Sequence, residues 1–320
     1  MKMTTLRAKP TLEDIQATHK AILPFIHVTP VMQSSAINEL TRAKIWFKCE
    51  NFQKIGAFKM RGAANAAVRL SEDLKAKGLA THSSGNHAQA VAKAAQSLGI
   101  PAHIVMPQNA PEVKVKATNG YGATIYRSGN TQADRESKLE EVLQETGANF
   151  IHPYDNYNVI AGQATAALEL LDNQPDLEIL MAPVGGGGLA AGTALTAHYL
   201  KPDAKVILAE PKLVDDAKRS FESGAIQEND RIDTIADGLR TNLGIRNFDI
   251  IKDLVDDILT VSEERIIEAM RIIWERMKII IEPSCAVPLA AVLEYPDVFA
   301  GKSVGIILTG GNVDLGKLPF

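Results

Sequence analysis

Two kinds of apolar patterning alternate along this chain. Short runs rich in β-branched and other apolar residues, Ala43 to Cys49, His103 to Met106, Thr124 to Tyr126, Ile179 to Val184, Lys205 to Glu210 and Val304 to Thr309, predict strands. Alanine-rich amphipathic stretches separate them and predict helices over Thr11 to Ala21, Met60 to Arg69, His87 to Gln96, Val113 to Asn119, Arg135 to Glu145, Leu189 to Tyr199 and Ser262 to Arg276. Ser262 followed by Arg265 is half of a capping box, and Glu263 and Glu264 suit the positive end of that helix. Strands wrapped by helices around a mostly parallel sheet make this an α/β chain. Its 320 residues suit two lobes better than one. Residues 75–152 carry their own run of alternating elements, so we expect a small domain there and a large one built from 1–70 and 153–320. No Pro/Ser linker, repeat or low-complexity segment marks the seam.

Charge narrows the kind of partner. The 34 basic and 38 acidic residues give a net charge of -4 without a long run of either sign, which argues against nucleic acid and acidic membranes and for a small ligand. Cys49 and Cys285 lie far apart with no C-x-x-C, the pattern of a reducing compartment. Met1 to Pro10 is polar and basic without an apolar segment behind it, and nothing approaches the roughly 18 apolar residues of a membrane span. The expectation is a soluble cytoplasmic protein.

Candidate chemistry begins with Val184-Gly185-Gly186-Gly187-Gly188-Leu189, which follows a predicted strand and opens a predicted helix. Backbone N–H groups converging at a positive helix end form an anion site, and four glycines exceed what a tight turn needs. Gly185-x-Gly187-x-x-Ala190 also satisfies a dinucleotide fingerprint, with Glu210 ending the next strand near where a ribose-binding acid would stand. Gly301-Lys302-Ser303 is not a P-loop, because Pro296 occupies the position of its first glycine. Two further features have no role in hydride transfer. Lys59 sits at a strand-to-helix junction, where desolvation and nearby cations can turn a lysine into an imine former and base. Ser83-Ser84-Gly85-Asn86-His87 precedes an alanine-rich helix, as a helix cap and a second anion cradle.

With these motifs go Thr29-Pro30, Phe47-Lys48-Cys49-Glu50, Gly56-Ala57-Phe58-Lys59-x-Arg61-Gly62-Ala63, Val159-Ile160-Ala161-Gly162-Gln163, Leu254-Val255-Asp256-Asp257, Met277-Lys278, Glu282-Pro283 and Thr309-Gly310-Gly311-Asn312. In this order, almost end to end, they resemble the serine racemase and threonine dehydratase family of fold-type II pyridoxal-phosphate (PLP) enzymes. The resemblance implies two open, twisted, mostly parallel sheets flanked by helices, as in the tryptophan synthase β subunit. It implies Lys59 as the attachment point of PLP and the base, Phe58 stacked on the ring, Asn86 on its 3′-oxygen, Gly185, Gly186, Gly187, Gly188 and Leu189 on the phosphate, and Thr309 facing the ring nitrogen. Ser83, Asn86 and His87 would orient the substrate carboxylate. A neutral hydroxyl at the nitrogen leaves a weaker electron sink than a carboxylate would, which favours elimination of a β-hydroxyl. The implied reaction removes water and ammonia from serine, threonine or threo-3-hydroxyaspartate.

Ser84 matches a serine that the family's racemases place on the ring face opposite the lysine, so racemization is chemically allowed beside dehydration. Arg135 matches an arginine that reaches the distal end of a dicarboxylate, and Asn242 lies in a loop that bears on substrate preference. Glu210, Asp216 and the backbone carbonyl of Val214 match a divalent-cation site for Mg²⁺ or Ca²⁺. The relatives are homodimers, and some bind ATP as an effector. A dedicated racemase, a non-catalytic PLP carrier and a dinucleotide enzyme stay open as alternatives.

Overall fold

The computed structural model describes residues 4–110 and 112–320. Ten strands form two sheets: β1 (Val31–Met32), β2 (Lys44–Cys49), β3 (Leu79–His82), β4 (Ala102–Pro107), β5 (Thr124–Ser128), β6 (Asn149–Phe150), β7 (Ile179–Pro183), β8 (Lys205–Pro211), β9 (Asp257–Val261) and β10 (Ser303–Leu308). The larger sheet runs β1-β2-β10-β7-β8-β9 and the smaller β5-β4-β3-β6. Apart from the antiparallel β1–β2 pair, every pairing is parallel. Helices cover both, which is why β7 and most of β8 and β10 are buried on both faces and read as unbroken apolar runs.

All six predicted strands are present, with ends moved by a residue or two. The patterning did not announce β1, β3, β6 and β9. Two of these have only two residues, and β3 has four, too short for an alternation to register. Two long helices also escaped the pattern, Tyr157–Asn173 and Pro283–Glu294. The first is buried without a break from Asn158 to Leu171, so it has no polar face to mark its period. The second is buried from Ser284 to Val292 and contains Pro288.

Helices Lys59–Val68 and Tyr157–Asn173 touch at backbone distance. A Cβ on Gly162 would lie 2.5 Å from Arg61 O, so only glycine lets them meet. Where they cross, Arg61 is completely buried, donating through Nε (2.7 Å) and Nη2 (2.8 Å) to Glu50 and through Nη1 (2.8 Å) and Nη2 (2.7 Å) to Glu169. Lys48 Nζ donates to Glu169 (2.5 Å) and Thr29 O (2.6 Å), while His19 Nε2 lies 3.0 Å from Glu169. Burial alone would push the Glu169 carboxyl up, but His19, Arg61 and Lys48 together hold it well below the usual carboxylate range. This polar plug fixes the start of helix Lys59–Val68, and with it the lysine that opens the helix. No described helix is long and apolar enough to cross a membrane.

Candidate active site

Lys59 is the first residue of its helix, and the loop before it is sewn to the end of β10. Phe58 N donates to Thr309 O (3.0 Å), and Ala57 bridges Gly310. The half-buried lysine turns its Nζ toward Pro153 O (2.7 Å), 5.2 Å from the centre of the Phe58 ring. Burial lowers its pKa to about 8, against the opposing charge of Glu282. An amine with a substantial neutral fraction near physiological pH is a nucleophile and a base, unlike a solvated surface lysine.

Two helices begin at this cleft without a side-chain cap. Helix Asn86–Leu98 starts at Gly85 and helix Gly188–Leu200 at Gly187, so neither offers a hydroxyl or carboxamide to its first N–H groups. By contrast Thr11, Thr131, Asn156 and Ser262 each cap the helix that follows them. Orphan donors at a glycine-capped N-terminus suit an anion. At the second helix Gly187 has φ +90°, and a Cβ on Gly186 would lie 2.4 Å from the Tyr154 ring. The Gly186 carbonyl is pinned by Asn247 Nδ2 (2.6 Å) and Gly244 N (3.1 Å). Leu189 points into the core, so its contribution to an anion is its backbone N–H.

Ser83 Oγ accepts from Gly85 N (3.3 Å), bending the loop before the first helix. The Asn86 amide is held between Glu282 and Asn312. The His87 ring donates from Nε2 to Ile151 O (2.9 Å), and burial with the nearby Lys59 charge drives its pKa well down. A neutral His87 whose one N–H is so engaged can give a carboxylate only its backbone N–H. Ser84 lies half-buried in the same loop. Opposite, Thr309 Oγ1 is buried with no hydrogen-bond partner among the described residues. An orphaned buried hydroxyl at the end of a strand, beside a reactive lysine and two anion cradles, fits the ring nitrogen, aldehyde and phosphate of PLP.

The remaining predicted residues fall in two places. Arg135 is half-buried, donating to Asn130 O (3.3 Å) and Gln132 (2.5 Å), and its charge adds to burial in lowering the pKa of His82, the neighbour of Ser83. Asn242 instead accepts from Asn229 N (3.1 Å), and Asn229 donates to Asp216 (2.5 Å). Asp216 also accepts from Leu243 N (2.7 Å), while the two oxygens of Glu210 accept from Ala217 N (3.1 Å) and Lys218 N (3.0 Å). Glu210 is therefore turned to a helix start and away from any ribose, which removes the dinucleotide reading's acid. Burial pushes Asp216 up to about 6, and burial plus the Asp216 charge push Glu210 well above its usual value. Two buried acids made reluctant to ionise are oxygen donors of the kind that a hard divalent cation takes. No group of three or more His, Cys, Asp or Glu side chains arranged for a metal occurs among the described residues, so water would complete the shell.

Sequence reasoning missed Pro153 O, Tyr154 and the carboxyl of Glu282. The signal for Glu282 was present in Glu282-Pro283, a proline at the first turn of a helix.

Residues 22–310 match the family described as "Pyridoxal-phosphate dependent enzyme". Over 311 residues the chain is 48% identical to the beta-hydroxyaspartate dehydratase of Paracoccus denitrificans, covering 97% of this chain and 99% of that one. It is 49% identical over 315 residues to the serine racemase of Dictyostelium discoideum, covering 97% of each. The crystal structure of Dictyostelium discoideum serine racemase superposes with a TM-score of 0.92, covering 96% of this chain and all of that one. The orphaned Thr309 hydroxyl, the depressed Lys59 amine and these likenesses agree, and the chain belongs to the family of PLP-dependent enzymes.

Proposed function

We propose that this protein is a PLP-dependent ammonia-lyase that takes water and ammonia from small β-hydroxy amino acids, threo-3-hydroxyaspartate, L-serine and L-threonine, to give 2-oxo acids, with serine racemization as a second activity. The observation that carries the reading is the placement of the half-buried Lys59 amine between two glycine-capped helix starts. The names of the relatives, a beta-hydroxyaspartate dehydratase and a serine racemase, support the substrate class.

In this reading Phe58, Asn86, Thr309 and the N–H groups of Gly185 to Leu189 hold the cofactor, which when bound supplies the electron sink that acidifies the substrate Cα–H. Lys59, released from attachment, takes that proton, since its pKa of about 8 leaves it partly neutral. Ser83, Asn86 and the His87 N–H seat the α-carboxylate at the positive end of helix Asn86–Leu98, aligning the Cα–H with Lys59. The Ser84 hydroxyl returns a proton to the opposite face when the product is the inverted enantiomer. Arg135 supplies a guanidinium for the distal carboxylate of hydroxyaspartate, and Asn242, its side chain held by Asn229 N, bears on substrate preference through the course of its loop. Glu210, Asp216 and the Val214 carbonyl would hold Mg²⁺ or Ca²⁺, a structural ion that ties helix Asp216–Ser223 to β8. Phe52 and Ile280, exposed side by side at one groove, are the kind of apolar surface that a homodimer would cover. The division into 1–70 with 153–320 and 75–152 puts Lys59 and the phosphate cradle on one lobe and Ser84 and Arg135 on the other.

The test is a panel of L- and D-serine, L-threonine and both threo-3-hydroxyaspartates, scored for 2-oxo acid, ammonia and inverted enantiomer. Oxo acid should form from the β-hydroxy substrates, and Lys59→Ala should lose about 10²–10⁴-fold or more. Absence of oxo acid from every substrate, or a Lys59→Ala variant as active as the wild type, would overturn the reading. D-serine outpacing pyruvate from L-serine would make the protein a dedicated racemase.

A further inference from the structure

Glu282 has no role in the chemistry above, yet it touches that chemistry directly. It stands at the start of helix Pro283–Glu294, is 5% exposed, and both its oxygens face Asn86 Nδ2, at 2.9 and 3.1 Å. At the other end of the same amide, Asn86 Oδ1 accepts from Asn312 Nδ2 (2.8 Å), whose second contact is Ile55 O (2.8 Å). A flipped Asn86 would set its oxygen against a carboxyl and its NH₂ against another NH₂, so the amide has one orientation here. The two oxygens of a single carboxyl subtend too small an angle at Nδ2 to take both of its hydrogens. One N–H is left for a ligand oxygen in the cleft.

We propose that Glu282 is a positioning residue of the active site: it holds the Asn86 amide with its donor end set, and its carboxyl, packed around Gly310 with Ala57, two residues before Lys59, sets a negative charge beside that amine. The proposal rests on the PLP reading of the site. Glu282 acts through Asn86 and through the field at Lys59, without itself moving a proton of the substrate.

The surroundings of the carboxyl determine when it carries that charge. Lys59 faces it from helix Lys59–Val68, Asn86 from helix Asn86–Leu98 and Lys114 from helix Glu112–Gly120. Asp237 faces it from the turn Asp237–Leu239, and Cys285 from its own helix. Lys114 is already paired with Asp237 (2.9 Å), so it offers Glu282 only a partial counter-charge. Burial, reinforced by Asp237, raises the carboxyl to about 7, opposed by the Asn86 bond and by Lys114. Burial pushes the Cys285 thiol up, which keeps it neutral over the same range. Glu282 therefore gains its charge across neutral pH, just below the range in which Lys59 loses its own.

The experiment strips the full-length protein of cofactor and follows PLP attachment by absorbance from pH 6 to 10. Borohydride reduction and peptide mapping confirm Lys59 as the modified residue, and KM and kcat are measured on the reloaded protein. Glu282→Gln keeps an oxygen for the Asn86 amide and removes the charge. The midpoint of its attachment rate against pH should fall by about one unit, with PLP affinity within about threefold of wild type. Glu282→Ala removes the acceptor as well, and should show the same fall together with about a tenfold loss of PLP affinity. Asn86→Ala should lose affinity with a smaller fall of the midpoint than Glu282→Gln shows, which separates the two roles. A Gln variant with the wild-type midpoint overturns the inference. If the Ala variant does not fold, the Gln midpoint decides alone. Failure of the wild-type protein to take PLP at Lys59 would instead sink the reading of the site.

Discussion

Two clusters of buried charge lie against the larger sheet, and they are built to opposite rules. Around Arg61, carboxylates from Glu50 and Glu169 meet a guanidinium and the Lys48 ammonium, with almost every polar atom bonded to another side chain. At Glu210 and Asp216 every carboxylate oxygen also accepts a hydrogen bond, but from neutral N–H groups. In the first cluster Glu169 is held below its ordinary pKa, and in the second both acids are pushed above theirs. Hydrogen bonding alone therefore does not complete a buried charge. A closed cluster holds the frame, and a bonded but uncompensated pair is what the proposed cation would complete.

The contrast breaks most visibly at Arg61. Arg61→Ala leaves two carboxylates buried without their cation and should cost about 3–5 kcal/mol in urea or thermal unfolding. No added metal should restore it. A loss near 1 kcal/mol would mean the cluster is wet and the contrast false.

The acid pair should respond to the ion instead. Mg²⁺ or Ca²⁺ at a hundredfold excess over its Kd should add about 2.7 kcal/mol, seen as a rise in Tm. Glu210→Gln should abolish that rise and cost the metal-free protein about 1 kcal/mol, since its NH₂ cannot accept one of the two backbone N–H bonds. Equal metal responses in the two proteins would place the ion elsewhere.

A smaller effect follows from pH. The folded pKa values of Asp216, about 6, and of Glu210 lie above the unfolded value near 4, so folding favours the protonated acids. The Asp216 contribution is full below pH ~4 and is lost as pH rises through about 6, and Glu210 shifts stability in the same direction. The Tm gained from metal should accordingly be larger at pH 7.5 than at pH 5. The reverse order would show that the pair is ionised without help. Smallest of all, Thr165→Val removes the acceptor of Arg61 Nη1 (3.0 Å) and should cost about 1 kcal/mol in denaturant unfolding, with no dependence on metal.

Much of the frame could be read from patterning, because β7 and most of β8 and β10 are unbroken apolar runs that only a doubly covered sheet can use. Helix Tyr157–Asn173 could not, since a helix buried on every side loses the polar face that reveals its period. At the site, Lys59 and the glycine tract were legible because their chemistry is local to a few residues. The partnership of Asn86 with Glu282 spans 196 positions, and nothing in either segment encodes the other. The ring of His87 teaches the same lesson. The family resemblance made it a residue that orients the substrate carboxylate, and only the approach of Ile151 O showed that its ring N–H was taken.

The main-chain stitches from Phe58 to Thr309 and from Ala57 to Gly310 have an evolutionary corollary. Because backbone atoms make them, they survive any change of side chain at position 309. In the proposed site, the lysine that would anchor the cofactor and the hydroxyl that would face its ring nitrogen are thus mechanically joined and chemically independent. A lineage can exchange threonine for serine, cysteine or an acid at that position and explore new reactions on an unmoved scaffold.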